Sequence, residues 1–182
     1  MDKFKTLVAD PPWKYNNVRT GGGMNSGSAQ KYPVMSLDDI CNLPVQNIMD
    51  KDSICFLWCT VPLVQYGFKV LESWDYKYKT IIVWRKIMSW GMGFWFRGQV
   101  ELCLLGIKGK IKLFRYQKAN FIQCKVEKHS EKPDEFYTLV EPVCPEPRLE
   151  LFASKNREGW TCVGFEASGQ DVKDFLNANK EN

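Results

Sequence analysis

"VADPPWKYNN" (residues 8–17) opens on an apolar strand and closes on a polar loop. Neither Pro11 nor Pro12 has an N–H to give a sheet ladder, and together they bar a helix from starting ahead of them. The strand must therefore stop at Asp10. Left at its C-terminal end are a carboxylate, stiffened carbonyls and the ring of Trp13. In open α/β sheets that edge is where ligands bind.

Outward from this point, apolar runs alternate with helical patterns. Strands are expected over 5–10, 53–60, 79–85, 100–108, 121–126, 148–153 and 160–166. Helices are expected over 36–49, 62–74, 132–144 and 169–178. Ser36 suits an N-cap, with Asp38 and Asp39 in the opening turn. Pro133 suits a first helical position, whereas Pro44 and Pro142 should break or kink their helices. Several strands are continuously apolar, the pattern of a mostly parallel sheet covered by helices on both faces. The expectation is an α/β fold in a single domain over 1–182. Residues 14–31, rich in Gly, Asn and Ser, follow the strand end directly and are expected to form a mobile lid.

Composition narrows the class. The 182 residues are 45% hydrophobic and 25% charged, ordinary for a globular protein. No stretch reaches the ~18 apolar residues of a membrane span, and the apolar run at the N-terminus is too short for a secretory signal. Seven cysteines contain no CxxC pair and there is one histidine, so no metal is expected. Reduced, mostly buried thiols in a cytoplasmic protein are the expectation. The net charge of +4 does not by itself announce a nucleic-acid binder.

Asp-Pro-Pro-Trp suits one difficult reaction. Adenine's exocyclic amine is a poor nucleophile because its lone pair is delocalised into the ring. Two acceptors on its N–H groups, the Asp10 carboxylate and the Pro11 carbonyl held by Pro12, would localise and aim that lone pair. Trp13 offers a face for stacking a base taken out of its helix, a contact worth roughly 1–3 kcal/mol. A methyl could then arrive in line from a sulfonium donor. The same four residues also read as a Pro-Pro turn with a solvated acid and a packing ring, and residue chemistry alone does not choose.

Further blocks accompany the tetrapeptide: "KYPVMSLDDI" (31–40), "FLWCTVP" (56–62), "IIVWRK" (81–86), "GMGFWFRGQVELCLLGIKG" (91–109), "HSEKPDEFYTLVE" (129–141) and "LELFASKNREGW" (149–160). In content and order they resemble the methyltransferase A-seventy family of N6-adenine methyltransferases, in its small bacterial and phage form. The resemblance covers nearly the whole chain. It implies a class I, Rossmann-like fold of permuted order using S-adenosyl-methionine, with the catalytic strand early and the cofactor half, 129–166, late.

The resemblance also implies roles. Asp10 would face both the target amine and the methionine end of the cofactor, and Tyr32 would line the acceptor pocket. Lys132 would meet the cofactor carboxylate. Glu101 matches an acid near the active centre and, buried in an apolar strand, needs Arg97 or Lys86 as partner. Trp84 and the cluster Phe94, Trp95 and Phe96 are candidates to frame the base pocket, while any single one of these rings reads first as core packing. Phe152 and the loop Ser154, Lys155, Asn156 and Arg157 fall on the cofactor half. Two positions depart from the family pattern there: Ser154 replaces a basic residue, and Phe165 an asparagine. Glu166 keeps an acid able to accept from ribose hydroxyls.

Acceptor binding has a charge signature. Between Glu101 and Glu127 every charged residue is basic, and Lys110 and Lys112 alternate with Ile111 and Leu113 as on one face of a half-buried strand (108–118). Residues 11–37 are also acid-free and include Lys14, Arg19 and Lys31. Both segments fit a phosphate backbone, and equally an ordinary solvated face. The expected function is adenine-N6 methyl transfer to a polynucleotide, DNA before RNA. A homodimer and a separate partner subunit both stay open. The competing readings are a catalytically silent nucleic-acid-binding subunit, which Ser154 and Phe165 would suit, and a methyltransferase for another planar amine or amide.

Overall fold

The computed structural model describes residues 2–14, 34–88, 95–111, 117–126 and 131–179. Seven strands form one sheet: β1 (Phe4–Ala9), β2 (Met49–Thr60), β3 (Lys77–Ile87), β4 (Val100–Lys108), β5 (Phe121–Lys125), β6 (Arg148–Leu151) and β7 (Thr161–Val163). Their order across the sheet is β5-β3-β4-β2-β1-β6-β7. β4 alone runs antiparallel to its two neighbours, and the other four pairings are parallel. The expected mostly parallel α/β architecture is therefore present. β1 lies centrally because its buried run, "FKTLVA", has apolar side chains for both faces.

Four helices cover the sheet. α1 (Leu37–Cys41), α2 (Val64–Ser73) and α4 (Val172–Ala178) bury Ile40, Val70, Leu71, Val172, Phe175 and Leu176 in one core with Leu7, Ala9, Leu57 and Leu104. α3 (Asp134–Val140) buries Phe136, Tyr137 and Val140 on the opposite face with Val8, Phe56, Trp58 and Trp84. Strand alternation explains the split, since Leu7 and Val8 point to opposite sides of β1.

Several boundaries differ from expectation for local reasons. The helix expected over 36–49 ends at Cys41, followed by a 3₁₀ turn over Val45–Asn47, because Pro44 interrupts it. Ser36 does cap it, in a capping box with Asp39. Pro133 is the N-cap of α3 rather than its first helical residue, with extended φ −70° and ψ 144°. Strand β2 begins four residues early, at Met49, and β3 extends to Ile87. The lid expected over 14–31 lies, except for Lys14, outside the described residues.

Candidate functional site

Chain direction sets the site. From β1 the chain moves to β2 on one side; from β6 it moves to β7 on the other. The crevice beyond the C-terminal ends of β1 and β6 is the topological switch point of the sheet. A cleft of about 440 Å³ opens there, the size of a small-ligand pocket. Asp10, Pro11, Pro12 and Trp13 line it from β1, and Phe152, Ala153 and Ser154 from β6. Gly164, Phe165 and Glu166 line it from the end of β7.

Local backbone geometry shapes both strand ends. Phe152 holds a positive φ of 63°, costly for a bulky residue and concentrated at functional sites. Gly164 has no room for a side chain: a Cβ there would lie 2.4 Å from the Ala153 carbonyl oxygen. At β1 the Pro11 carbonyl accepts the Trp13 N–H at 2.8 Å and the Pro12 carbonyl accepts the Met35 N–H at 2.8 Å. The second lone pair of each oxygen is not used by these bonds. Trp13 is only 8% exposed, and its indole N–H donates to the Trp58 carbonyl at 3.1 Å. Core packing therefore takes most of its ring, and the cleft meets the remainder.

The polar residues converge on the α3 face. Asp10 follows Val8 in alternation, Glu101 precedes Cys103, and Lys86 follows Trp84 on the same face. Lys132, arriving from the α3 side with 10% of its side chain exposed, closes the group. Its Nζ lies 2.6 Å from Asp10 Oδ2 and 3.2 Å from Glu101 Oε2, while Lys86 pairs with the other Glu101 oxygen. The Lys132 ammonium also sits 5.3 Å from the centroid of the Trp58 ring.

This chain of alternating charges tunes each member. Burial raises Asp10 above the ordinary aspartate range, and the adjacent Glu101 charge adds to it against the pull of Lys132. Burial would also raise Glu101, but the ammoniums of Lys132 and Lys86 outweigh it and hold Glu101 low. Burial opposes the charge on Lys132, and the two carboxylates overcome it, so the lysine stays protonated. The partner expected for Glu101 is thus Lys86, with Lys132 as a second.

Several cleft residues were not anticipated, Asp39, Thr60, Asp171, Lys173 and Glu150 among them, and Glu150 is the buried acid of the group. Glu150, on β6 opposite Val8, lines the cleft while 9% exposed. The Tyr137 hydroxyl donates to its Oε1 at 2.8 Å. Burial pushes its carboxyl up to about 7, against the hydrogen bond from Tyr137 and the charge of Arg157. A glutamate flanked by Leu149 and Leu151 in a buried strand was the available signal.

Other expected residues lie elsewhere. Trp84 is 1% exposed, packed edge-to-face on Trp58 beneath Lys86, so it is core and frames no pocket. Lys110 stands at the wrong end of the sheet. β4 descends from Glu101, opposite Thr60, to Lys108, opposite Ser53. The Gly109 turn then follows, where the Lys110 N–H donates to Asp52 Oδ1 at 2.6 Å. The strand expected over 108–118 therefore ends at Lys108. Lys14 is exposed and does not line the cleft. Tyr32, Lys112 and Phe94 lie outside the described residues.

The loop after β6 also requires correction. Of its four expected cofactor contacts only Ser154 lines the cleft. Lys155 pairs with Glu131 and, at 3.1 Å, with Asp134. Arg157 bonds Asp134 at 2.6 Å, with its guanidinium 3.4 Å from the Tyr137 ring centroid. Asn156 donates to the Ala167 carbonyl at 3.0 Å. Lys155 and Arg157 clamp the start of α3, where Asp134 supplies the complementary charge, while Asn156 ties the loop to the segment after β7, and none of the three lines the cleft.

A permuted, mostly parallel sheet with an acid at its switch point defines the Rossmann-like class of S-adenosyl-methionine-dependent methyltransferase folds. The MT-A70 family profile matches residues 4–166, and the chain belongs to that family. It is 32% identical over 176 residues to the N(6)-adenosine-methyltransferase MT-A70-like protein of Arabidopsis thaliana, covering 91% of this chain and 24% of that protein. It is 31% identical over 194 residues to the type II methyltransferase M.MunI of a Mycoplasma species, covering 94% of this chain and 81% of that one. The human N(6)-adenosine-methyltransferase catalytic subunit METTL3 is 28% identical over 185 residues, 96% of this chain and 30% of its own. The chain spans about a quarter of the length of the plant relatives. Among the described residues no helix is long and apolar enough to cross a membrane.

Proposed function

We propose that the chain transfers a methyl group from S-adenosyl-methionine to the N6 atom of adenine in a polynucleotide. The observation that carries this reading is the placement of Asp10. It stands on a rigid Pro-Pro turn at the switch-point cleft, bonded to a buried lysine. DNA is the favoured acceptor, on the resemblance to small prokaryotic forms and the 81% coverage of the Mycoplasma relative.

The cleft fits the cofactor's chemistry. Asp10 and Glu150 offer carboxylates to its cationic groups, and Lys132 is the ammonium suited to its carboxylate. Phe152 and Phe165 give apolar surface, and Glu166 an acceptor for ribose hydroxyls. When bound, the cofactor supplies an electrophilic methyl on sulfur. Asp10 and the Pro11 carbonyl accept the two N–H bonds of the amine, directing its lone pair outward. Asp10, with its carboxyl raised by burial, would take the proton that N6 loses when the methyl leaves sulfur for nitrogen. Lys132 fixes the carboxylate's orientation, and Glu101 with Lys86 fixes Lys132.

None of the seven cysteines is in a disulfide, which suits a reducing compartment, and the cytoplasm is the proposed location. The decisive test is transfer of labelled methyl to single-stranded DNA, duplex DNA and RNA, with products digested to nucleosides. N6-methyladenine from the native chain and none from Asp10→Asn, with cofactor still bound by calorimetry, is the expected result. Equal product from both would refute the role of Asp10. Cofactor binding without product in any pool would favour the silent-subunit reading.

A further inference from the structure

β3 ends and β4 begins at the same sheet edge as the cleft, because Trp84 pairs with Glu101, which lines it. There the rings that elsewhere fill the core turn outward. Trp95 is 97% exposed, Phe96 85% and Met88 80%. Met88 and Trp95 hold positive φ values of 57° and 64°, unfavourable for side chains of this size. Exposed, strained aromatic residues beside a cleft are not accounted for by packing.

The adjoining sheet face is open as well. Ile122 points into the α3-side core, so Phe121, Gln123 and Lys125 point to the other side of β5. Arg85 shares that side and donates to Gln123 at 3.2 Å. α2 packs on β2, β3 and β4, and Phe121, Lys125 and Arg85 are exposed beyond it. Charge is one-sided. Along β3 and β5 every charged residue is basic, Lys77, Lys79, Arg85, Lys86 and Lys125, and Glu101, the acid near the start of β4, is already engaged by Lys86 and Lys132.

We propose that Trp95, Phe96 and the open β3–β5 face form a stacking platform for unpaired nucleotides flanking the target adenine. Trp95 and Phe96 would take bases, and Arg85 and Lys125 the phosphates. Base–aromatic stacking requires splayed bases, so the platform selects single-stranded over duplex nucleic acid. A second copy of this chain would bring an equally cationic face against it and be repelled. The proposal rests on the polynucleotide reading above but concerns residues outside the cleft.

The test is fluorescence anisotropy with a labelled oligothymidylate and a G·C-only duplex of equal length, both lacking adenine. The expected result is tighter binding of the single strand. Trp95→Ala/Phe96→Ala should weaken it about thirtyfold, two rings at the low end of stacking energies, with a much smaller change on the duplex. Trp95→Phe should recover most of the loss at that position. Arg85→Glu/Lys125→Glu should flatten the salt dependence by about two phosphate contacts. Unchanged single-strand affinity, or equal loss on both ligands, would overturn the proposal. So would a native dimer in sedimentation that the aromatic variant converts to monomer, which would make the face a protein interface. Binding needs no transfer, so a chain that passes this test but methylates no acceptor would refute the proposed reaction and leave the platform standing.

Discussion

Glu150→Gln removes one ionisable group from the wall of the cleft and changes almost nothing in shape. In the native protein burial raises this carboxyl from 4.5 to about 7, with Tyr137 as its hydrogen-bond donor. Between those values the unfolded chain has released the proton and the folded chain still holds it. Stability therefore falls as pH rises through this window, and the cost is complete once the folded carboxyl ionises. At about 1.4 kcal/mol per pH unit the full penalty is on the order of 3 kcal/mol. Glutamine can still accept from the Tyr137 hydroxyl and carries no such penalty. The variant should match the native protein to within about 1 kcal/mol at pH 5 and exceed it by about 3 kcal/mol at pH 8. Urea unfolding of both proteins across this range, with thiols kept reduced, measures the difference and cancels titrations they share. A difference that stays flat from pH 5 to pH 8 would refute the burial argument. The same substitution should weaken cofactor binding, since a neutral amide replaces an anion beside the proposed sulfonium site.

Two further outcomes follow from the site's construction. Lys132→Met leaves Asp10 and Glu101 facing each other with Lys86 on only one side. It should cost about 3 kcal/mol at pH 8 by chemical denaturation, a deficit that shrinks below pH 5 as the carboxylates protonate. Gly164→Ala forces a methyl against the Ala153 backbone, and thermal melting should show a loss of roughly 1–3 kcal/mol with weaker cofactor binding.

What could be read from the sequence followed the physics that acts locally. Two prolines had to stop the first strand by Asp10, and β1 ends at Ala9; the mostly apolar run over 100–108 is β4. The acid inside that strand demanded a cation, and Lys86 supplies it. The same demand applied to Glu150, where the surrounding leucines drew attention to the strand instead of the charge. Lys110 shows a different failure: a run of basic residues carries no information about which end of a sheet it will reach. Lys155 and Arg157 show a third. Their charges suit an anionic ligand, but Asp134, more than twenty positions upstream, claims them first. Trp84 takes the core reading, because a tryptophan beside a lysine looks alike in a pocket wall and in a core until its packing on Trp58 decides.

The central position of β1 has a consequence for biosynthesis. A ribosome delivers Asp10 long before the strand that borders it on one side, β6, which begins at Arg148. Until that segment emerges, β1 keeps a bare hydrogen-bonding edge and the cleft has only one wall. Pairing so distant in the chain is slow to form, and exposed strand edges are what chaperones and aggregates compete for. Truncated nascent chains should therefore fail to acquire the cofactor at any length short of β6 and β7, and the yield of active protein should depend on how quickly the segment between β1 and β7 is made.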